Sequence, residues 1–339
     1  MHLDRIRQRM RKEGIDCVIV TEESNFIYSI GHEATGYLFI RPETVNLILP
    51  RFYLYDLEEY DAEYFFTAEE SREKLSDISE RVDGDVVTDR ENPGILNDLF
   101  GAEHSDIIKD LRLRKTDEEV EKIREACRIT DNAFRSLRPG LFDGKTELEA
   151  QLELKKYYSN QKVRESFLTN KGESLVQKNC LKPHRPSKDV SIRPDDLVIV
   201  DTGARKNFYC ADVTRTYCEN PSEQQQKLFE AVKKVQNEMI EMISPGVEIR
   251  DVVRRQLELT EELGYNPDEN VIYFSHGIGI DVHEGPSVSL STDREFEEGM
   301  VVTVEPGIHL PELGGVRIED TVHVGSSSNE RLSKAERKL

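Results

Sequence analysis

A chain of 339 residues with 46 basic and 66 acidic side chains carries a formal charge of −20, which repels phosphate backbones and anionic membrane surfaces and excludes nucleic acid and membranes as expected partners. Its length suits two domains of about 150 residues each. Five scattered cysteines without a C-x-x-C spacing, an opening segment without a signal peptide's apolar core and no run near the ~18 apolar residues of a membrane span predict a soluble, cytoplasmic protein.

Residues 1–112 alternate helix-like and strand-like patterns. A charged amphipathic opening precedes the strand-like runs Asp16–Val20, Gly36–Ile40, Val45–Leu49 and Asp85–Thr88, a pattern that predicts a small α/β domain. His2, His32 and His104 are dispersed and read as surface residues. A boundary is expected between Lys109 and Thr116, where Thr116-Asp-Glu-Glu119 has the form of a capping box. Val120, Ile123, Cys127, Thr130, Phe134 and Leu137 then recur at helical spacing on one face, up to Arg138-Pro-Gly140.

A second box, Thr146-Glu-Leu-Glu149, opens another helix, and a strand-rich region containing Asp201 and Asp212 follows. The order then recurs: a box at Ser222-Glu-Gln-Gln225, a helix through Met242, Ser244-Pro-Gly246, a helix through Leu263, and strands containing Glu305 and Glu319. The offsets are alike: 106 between Pro139 and Pro245, 104 between Asp201 and Glu305, 107 between Asp212 and Glu319. They suggest a duplicated helix-helix-strand unit; the alternative is chance matching of Pro-Gly punctuation.

Asp201 ends the apolar run Leu197–Gly203 and Asp212 lies in Phe208–Tyr217. A hairpin turning at Lys206-Asn207 sets the two aspartates directly opposite, with Cβ atoms about 4.5–5.5 Å apart. Like charges so close are destabilising unless a cation lies between them. The alternative is a pair splayed into solvent, although strand interiors are poor places for Asp. Glu305 likewise ends the run Met300–Gly307, and Glu319 interrupts Gly315–Val324. His276 taken alone is more often structural than ligating, but Gly277 and Gly279 would let backbone approach a site closely. Four carboxylates and one imidazole suit manganese, cobalt, iron or zinc. Five ligands serve two ions only when carboxylates bridge, and two divalent ions about 3.5–4 Å apart share a water and clamp the oxygens of a hydrolytic transition state.

These residues stand within runs that resemble a known family. Asp-Leu-Val-Ile-Val-Asp201-Thr-Gly-Ala, Cys-Ala-Asp212-Val-Thr-Arg-Thr, His276-Gly-Ile-Gly, Val-His283-Glu-Gly-Pro, and Glu305-Pro-Gly-Ile with Gly-Gly-Val-Arg-Ile-Glu319-Asp occur in the family's order. Residues 117–325 resemble the pita-bread metallopeptidases, and residues 1–112 look like the creatinase-like N-terminal domain of the proline-specific members, aminopeptidase P and prolidase. The resemblance implies an α+β chain: an N-terminal α/β domain, then a pita-bread domain with a curved antiparallel sheet, helices on its outer face and an internal duplication. It implies that Asp201, Asp212, His276, Glu305 and Glu319 hold two divalent ions, manganese or cobalt before zinc or iron, with Asp212 and Glu319 bridging. It further implies that Glu305 carries the proton of the attacking water to the leaving imino nitrogen, that His184 and His283 contact the substrate carbonyl and developing oxyanion, and that Arg317 steadies a bridging aspartate. The expected partners are a peptide whose scissile bond precedes proline and a second copy in a homodimer.

Some positions depart from the family pattern. The residues ahead of His184 lack the usual glycine-containing stretch, His309 stands where many relatives carry tyrosine, and Ser275 replaces a glycine common before the metal histidine. Ser287 stands where some prolidases carry an arginine near a dipeptide's carboxylate, leaving Arg185, Arg193 or Arg294 as alternative cations. Three rival readings are a metal-free creatinase-type hydrolase, a non-catalytic pita-bread binding protein and a methionine aminopeptidase. The first two need no full ligand set, and the third usually lacks a front domain. The polar tail, residues 326–339, is expected to be loosely ordered.

Overall fold

The computed structural model describes residues 2–53, 60–165, 174–181, 185–272 and 275–339. Its contacts divide the chain into two compact units, Met1–Arg112 and Leu113–Leu339. The first unit is built on a six-stranded mixed sheet in the order Asp61–Phe65, Val45–Pro50, Tyr37–Ile40, Cys17–Val20, Val86–Thr88, Glu103–His104. Cys17–Val20 lies inside this order and is buried at every position, so it reads as a continuous apolar run rather than an alternating one. Phe39 and Ile48 pack with Leu75 and Ile78 of the helix Ala68–Ser79 in the core of this unit. The two outer strands, Asp61–Phe65 and Glu103–His104, escape sequence reading because they are short, charged and partly exposed.

In the second unit all three expected capping boxes form: Thr116 with Glu119, Thr146 with Glu149, and Ser222 with Gln225. Each side-chain oxygen accepts an otherwise unpaired N–H of the first turn, and the Glu or Gln reaches back to the cap. They start the helices Asp117–Leu137, Glu147–Asn160 and Glu223–Met242. The periodic face of the first, from Val120 to Leu137, is buried as its spacing requires, and the helix gives way to a 3-10 turn at Arg138–Gly140. Proline at 139 can supply no backbone donor to prolong the ladder. A fourth helix, Ile249–Glu262, follows, so the order helix, helix, strands occurs twice along the unit. The strand pairings between residues 164 and 331 are antiparallel.

Two expectations are corrected here. The hairpin turns at Asn207-Phe208, both at positive φ (50° and 70°), as two-residue turns that match strand twist require. Lys206 pairs with Tyr209 and Asp201 with Thr214, so Asp201 and Asp212 lie diagonally rather than opposite. Because the side-chain period is two, the two-residue offset leaves both on one face. The tail is also firmly held. Glu330–Arg331 pairs with Val322 and His323, Leu332, Ser333 and Ala335 are buried, and Asp131 accepts the N–H groups of Lys334 (2.8 Å) and Ala335 (2.7 Å). Buried polar groups waiting on the helix Asp117–Leu137 order this polar segment, which composition alone does not register.

Candidate metal centre

Asp201 stands on Val198–Thr202, Asp212 immediately before Val213–Tyr217, and Glu305 immediately after Val301–Val304. Glu319 lies where Gly314–Arg317 passes into Asp320–His323, two strands that belong to different sheets. His276 opens the short strand His276–Gly277. The apolar neighbours of these residues commit each strand to the interior, and the acids are carried in with them. All five are buried.

Their ligating atoms converge. Asp201, Asp212 and Glu319 form one group within 4.8 Å, and His276, Glu305 and Glu319 form a second. His276 Nε2 lies 3.4 Å from Glu305 Oε1 and 3.7 Å from Asp212 Oδ2. Burial, and then the charges of Asp201 and Glu305, push the Asp212 carboxyl well above its ordinary range. Burial followed by the charge of Asp212 does the same to Glu319, and burial takes Glu305 up to about 7. Asp212 Oδ1 and Glu319 Oε1 are buried without a hydrogen-bond partner among the described residues. Such orphaned oxygens are costly, and a divalent cation is the group that satisfies them and removes the repulsion together. The donor set therefore fits hard divalent ions.

Side chains that sequence reading passed over hold the acids in place. Thr214 Oγ1 lies 3.0 Å from Asp201 Oδ1 and 2.8 Å from Glu319 Oε2; its single proton serves one of them at a time. Thr303 Oγ1 donates to Glu305 Oε1 (3.1 Å) and accepts the His276 N–H (3.1 Å). Ser275 Oγ accepts the Glu305 N–H at 3.2 Å, which gives the glycine-to-serine departure a local role. Arg215, buried, donates to the backbone oxygens of Thr214 (2.8 Å) and Glu319 (2.5 Å). Gln236, from the helix Glu223–Met242, donates to the carbonyls of Val304 and Ile318, one residue before Glu305 and Glu319.

Arg317 is the cation built into the cluster, and it donates to Asp201 through Nη2 and to Thr214 through Nε. Its partner is thus Asp201, whereas the resemblance gave the bridging role to Asp212. Gly277 and Gly279 also serve differently from expectation. A Cβ at Gly277 would collide with the Gly285 carbonyl, and one at Gly279 with the Glu284 carboxylate, so the close approach they permit is that of the segment carrying His283. The His283 ring stands edge-on to His276, with centroids 4.0 Å apart. His184 lies outside the described residues. Arg185, beside it in sequence, is bound at both terminal nitrogens by the buried Glu147 (2.8 and 2.7 Å) and so is committed within the fold. His309 is buried, with Nδ1 2.7 Å from the Cys180 carbonyl, and burial lowers its pKa to about 4.

Residues 121–326 match Metallopeptidase family M24. The Xaa-Pro dipeptidase of Pyrococcus furiosus is 32% identical, with 99% of each chain covered. The chain belongs to metallopeptidase family M24. Among solved structures, the prolidase from Pyrococcus horikoshii OT3 superposes with a TM-score of 0.86 at 28% identity, covering 99% of each chain. The X-Pro aminopeptidase from Thermotoga maritima MSB8 does so at 0.89 and 25%, covering 99% of this chain and 98% of its own. The fold of this M24 chain is accordingly the pita-bread fold preceded by an N-terminal domain, and as a member of a metallopeptidase family it is a hydrolase that depends on divalent metal ions.

Proposed function

We propose that this M24 chain hydrolyses the peptide bond preceding proline, with two divalent ions, manganese or cobalt, held by Asp201, Asp212, His276, Glu305 and Glu319. The observation that carries this reading is the pair of orphaned buried oxygens, on Asp212 and Glu319, inside a convergent set of four carboxylates and one imidazole. Bound ions of this kind activate a water at neutral pH and stabilise developing negative charge. Glu305, hydrogen-bonded to Thr303 and next to His276, takes a proton from the nucleophile and returns it to the leaving imino nitrogen. His283, exposed beside His276, orients the substrate carbonyl, and His184 is assigned to the developing oxyanion. Arg317 orients Asp201 through its guanidinium contact.

A dipeptide needs a cation for its free carboxylate. Ser287 supplies none, Arg185 is committed to Glu147, and Arg294 lies 3.6 Å from Glu297, which leaves Arg193 alone of the three alternative cations. These observations favour a second reading, in which longer Xaa-Pro-Yaa peptides are the better substrates. The test is hydrolysis of Xaa-Pro dipeptides against Xaa-Pro-Yaa tripeptides by metal-stripped protein, with and without added manganese or cobalt. Metal-dependent cleavage of dipeptides assigns dipeptidase activity, and cleavage of tripeptides alone assigns aminopeptidase activity. No cleavage with any metal rejects the reading. Five buried cysteines outside any disulfide suit a cytoplasmic setting, and we assign the working form as a homodimer, which light scattering of the purified protein tests.

A further inference from the structure

Lys115 is the last residue before the N-cap of the helix Asp117–Leu137, and no step of the proposed mechanism uses it. Its side chain is 1% exposed and its Nζ lies 2.8 Å from Glu284 Oε1, on a side chain itself 8% exposed. Both backbones are fixed. The Lys115 N–H donates to the Gly299 carbonyl at 2.8 Å, and Thr116 is locked by its capping box. Glu284 Oε2 accepts the Asp281 N–H at 3.3 Å, so this carboxylate closes the short turn in which His283 lies. The segment following His283 is pressed onto the backbone at Gly277, where a Cβ would meet the Gly285 carbonyl, and the Glu284 carboxylate itself lies against Gly279.

His283 is exposed and its ring stands edge-on to His276, so the turn that places its backbone also sets where that ring contact forms. A buried ion pair contributes little net stability, because desolvation offsets the Coulomb gain, so the main effect of this one is to tie the His283 turn to the segment ahead of the helix. We propose that Lys115 is a positioning residue that, through Glu284, holds the His283 ring where the substrate carbonyl is bound. The proposal rests on the peptidase reading for the role of His283, but the contact it describes is testable without turnover.

The experiment compares wild type with Lys115→Met, Lys115→Arg, Glu284→Gln, His283→Ala and the Lys115→Met/His283→Ala double variant, each loaded with manganese and assayed for metal content. On the Xaa-Pro peptide that wild type cleaves best, Lys115→Met is expected to lose on the order of 100-fold in kcat, the cost of misplacing a positioned group, with metal content unchanged. Lys115→Arg is expected to recover most of it. In the His283→Ala background the same substitution should cost under about threefold, since a residue acting through His283 is coupled to it. A full, multiplied loss in that background overturns the proposal, as does wild-type kcat in Lys115→Met. Independently of activity, the NMR signal of the His283 ring in ¹³C-histidine-labelled protein, assigned by its disappearance in His283→Ala, should move in Lys115→Met while that of His309 stays. An unmoved signal rejects the contact. If wild type cleaves no such peptide, the peptidase reading fails and the ring signal still decides the positioning. If Lys115→Met does not fold, Glu284→Gln carries the same expectations.

Discussion

Glu305 is the residue on which the proposed chemistry turns, and its surroundings separate folding from turnover. Replacing it with glutamine keeps the volume and the Thr303 contact but removes the proton carrier, so Glu305→Gln is expected to retain the fold, read by circular dichroism, and lose nearly all kcat. Near-normal kcat would reject the role. Asp212→Ala removes an oxygen that already lacks a partner; elemental analysis should show metal lost, with the fold kept. Arg317→Met leaves Asp201 buried and unpaired, which costs about 3–5 kcal/mol by the usual penalty for breaking a buried pair, read from urea unfolding of the metal-free protein. The acids stood out in the sequence because acids interrupting apolar strand runs demand an explanation, whereas His276 rested on the family resemblance. Thr214, Thr303 and Ser275 were not, since hydroxyl side chains are ordinary in and beside strands.

At the level of elements, helix starts were the most legible feature, because a capping box is a local motif whose partners lie three residues apart. Thr116→Ala should therefore cost about 1 kcal/mol, measurable as a shifted denaturation midpoint. The strand register was less legible. Asp201 pairs with Thr214 rather than Asp212 because the turn sits one residue later than its composition suggested, and only the positive φ at both Asn207 and Phe208 shows it. The ordered tail was hidden for another reason. Its hold on the domain passes through Asp131, 203 residues from Lys334, and a partner that distant leaves no local trace. Asp131→Ala strands two backbone N–H groups and should cost about 1–3 kcal/mol, while Asp131→Asn, keeping one acceptor, should recover part of it; faster amide exchange over residues 330–336 would report the loosened tail.

Over the whole molecule, the acid cluster links stability to both metal and pH. Asp212, Glu305 and Glu319 have folded-state pKa values raised above their ordinary ones. Raised values contribute stability that is complete below the unfolded pKa and lost as pH rises through the folded one. Metal-free protein should thus become less stable as pH rises from about 4.5 through about 7, a window set by the ordinary value of Glu305, 4.5, and its folded value of about 7. Manganese, binding the ionised form, should flatten or reverse the trend, adding about 2.7 kcal/mol at 100 times its dissociation constant. Calorimetry at several pH values with and without chelator tests this; a pH-independent midpoint in the metal-free protein would reject it.

The sequence by itself determined the helix starts, the buried strands, the family resemblance and the identity of the five candidate ligands, because each depends on periodicity or on short runs of neighbouring residues. Tertiary structure alone decided that Asp201 is held by Arg317 and Thr214, that Arg185 is committed to Glu147, that Lys115 reaches Glu284, and that the tail is docked. These contacts join residues from 13 to 204 positions apart. Side-chain type alone says that such groups need partners; only packing says which partner is within reach.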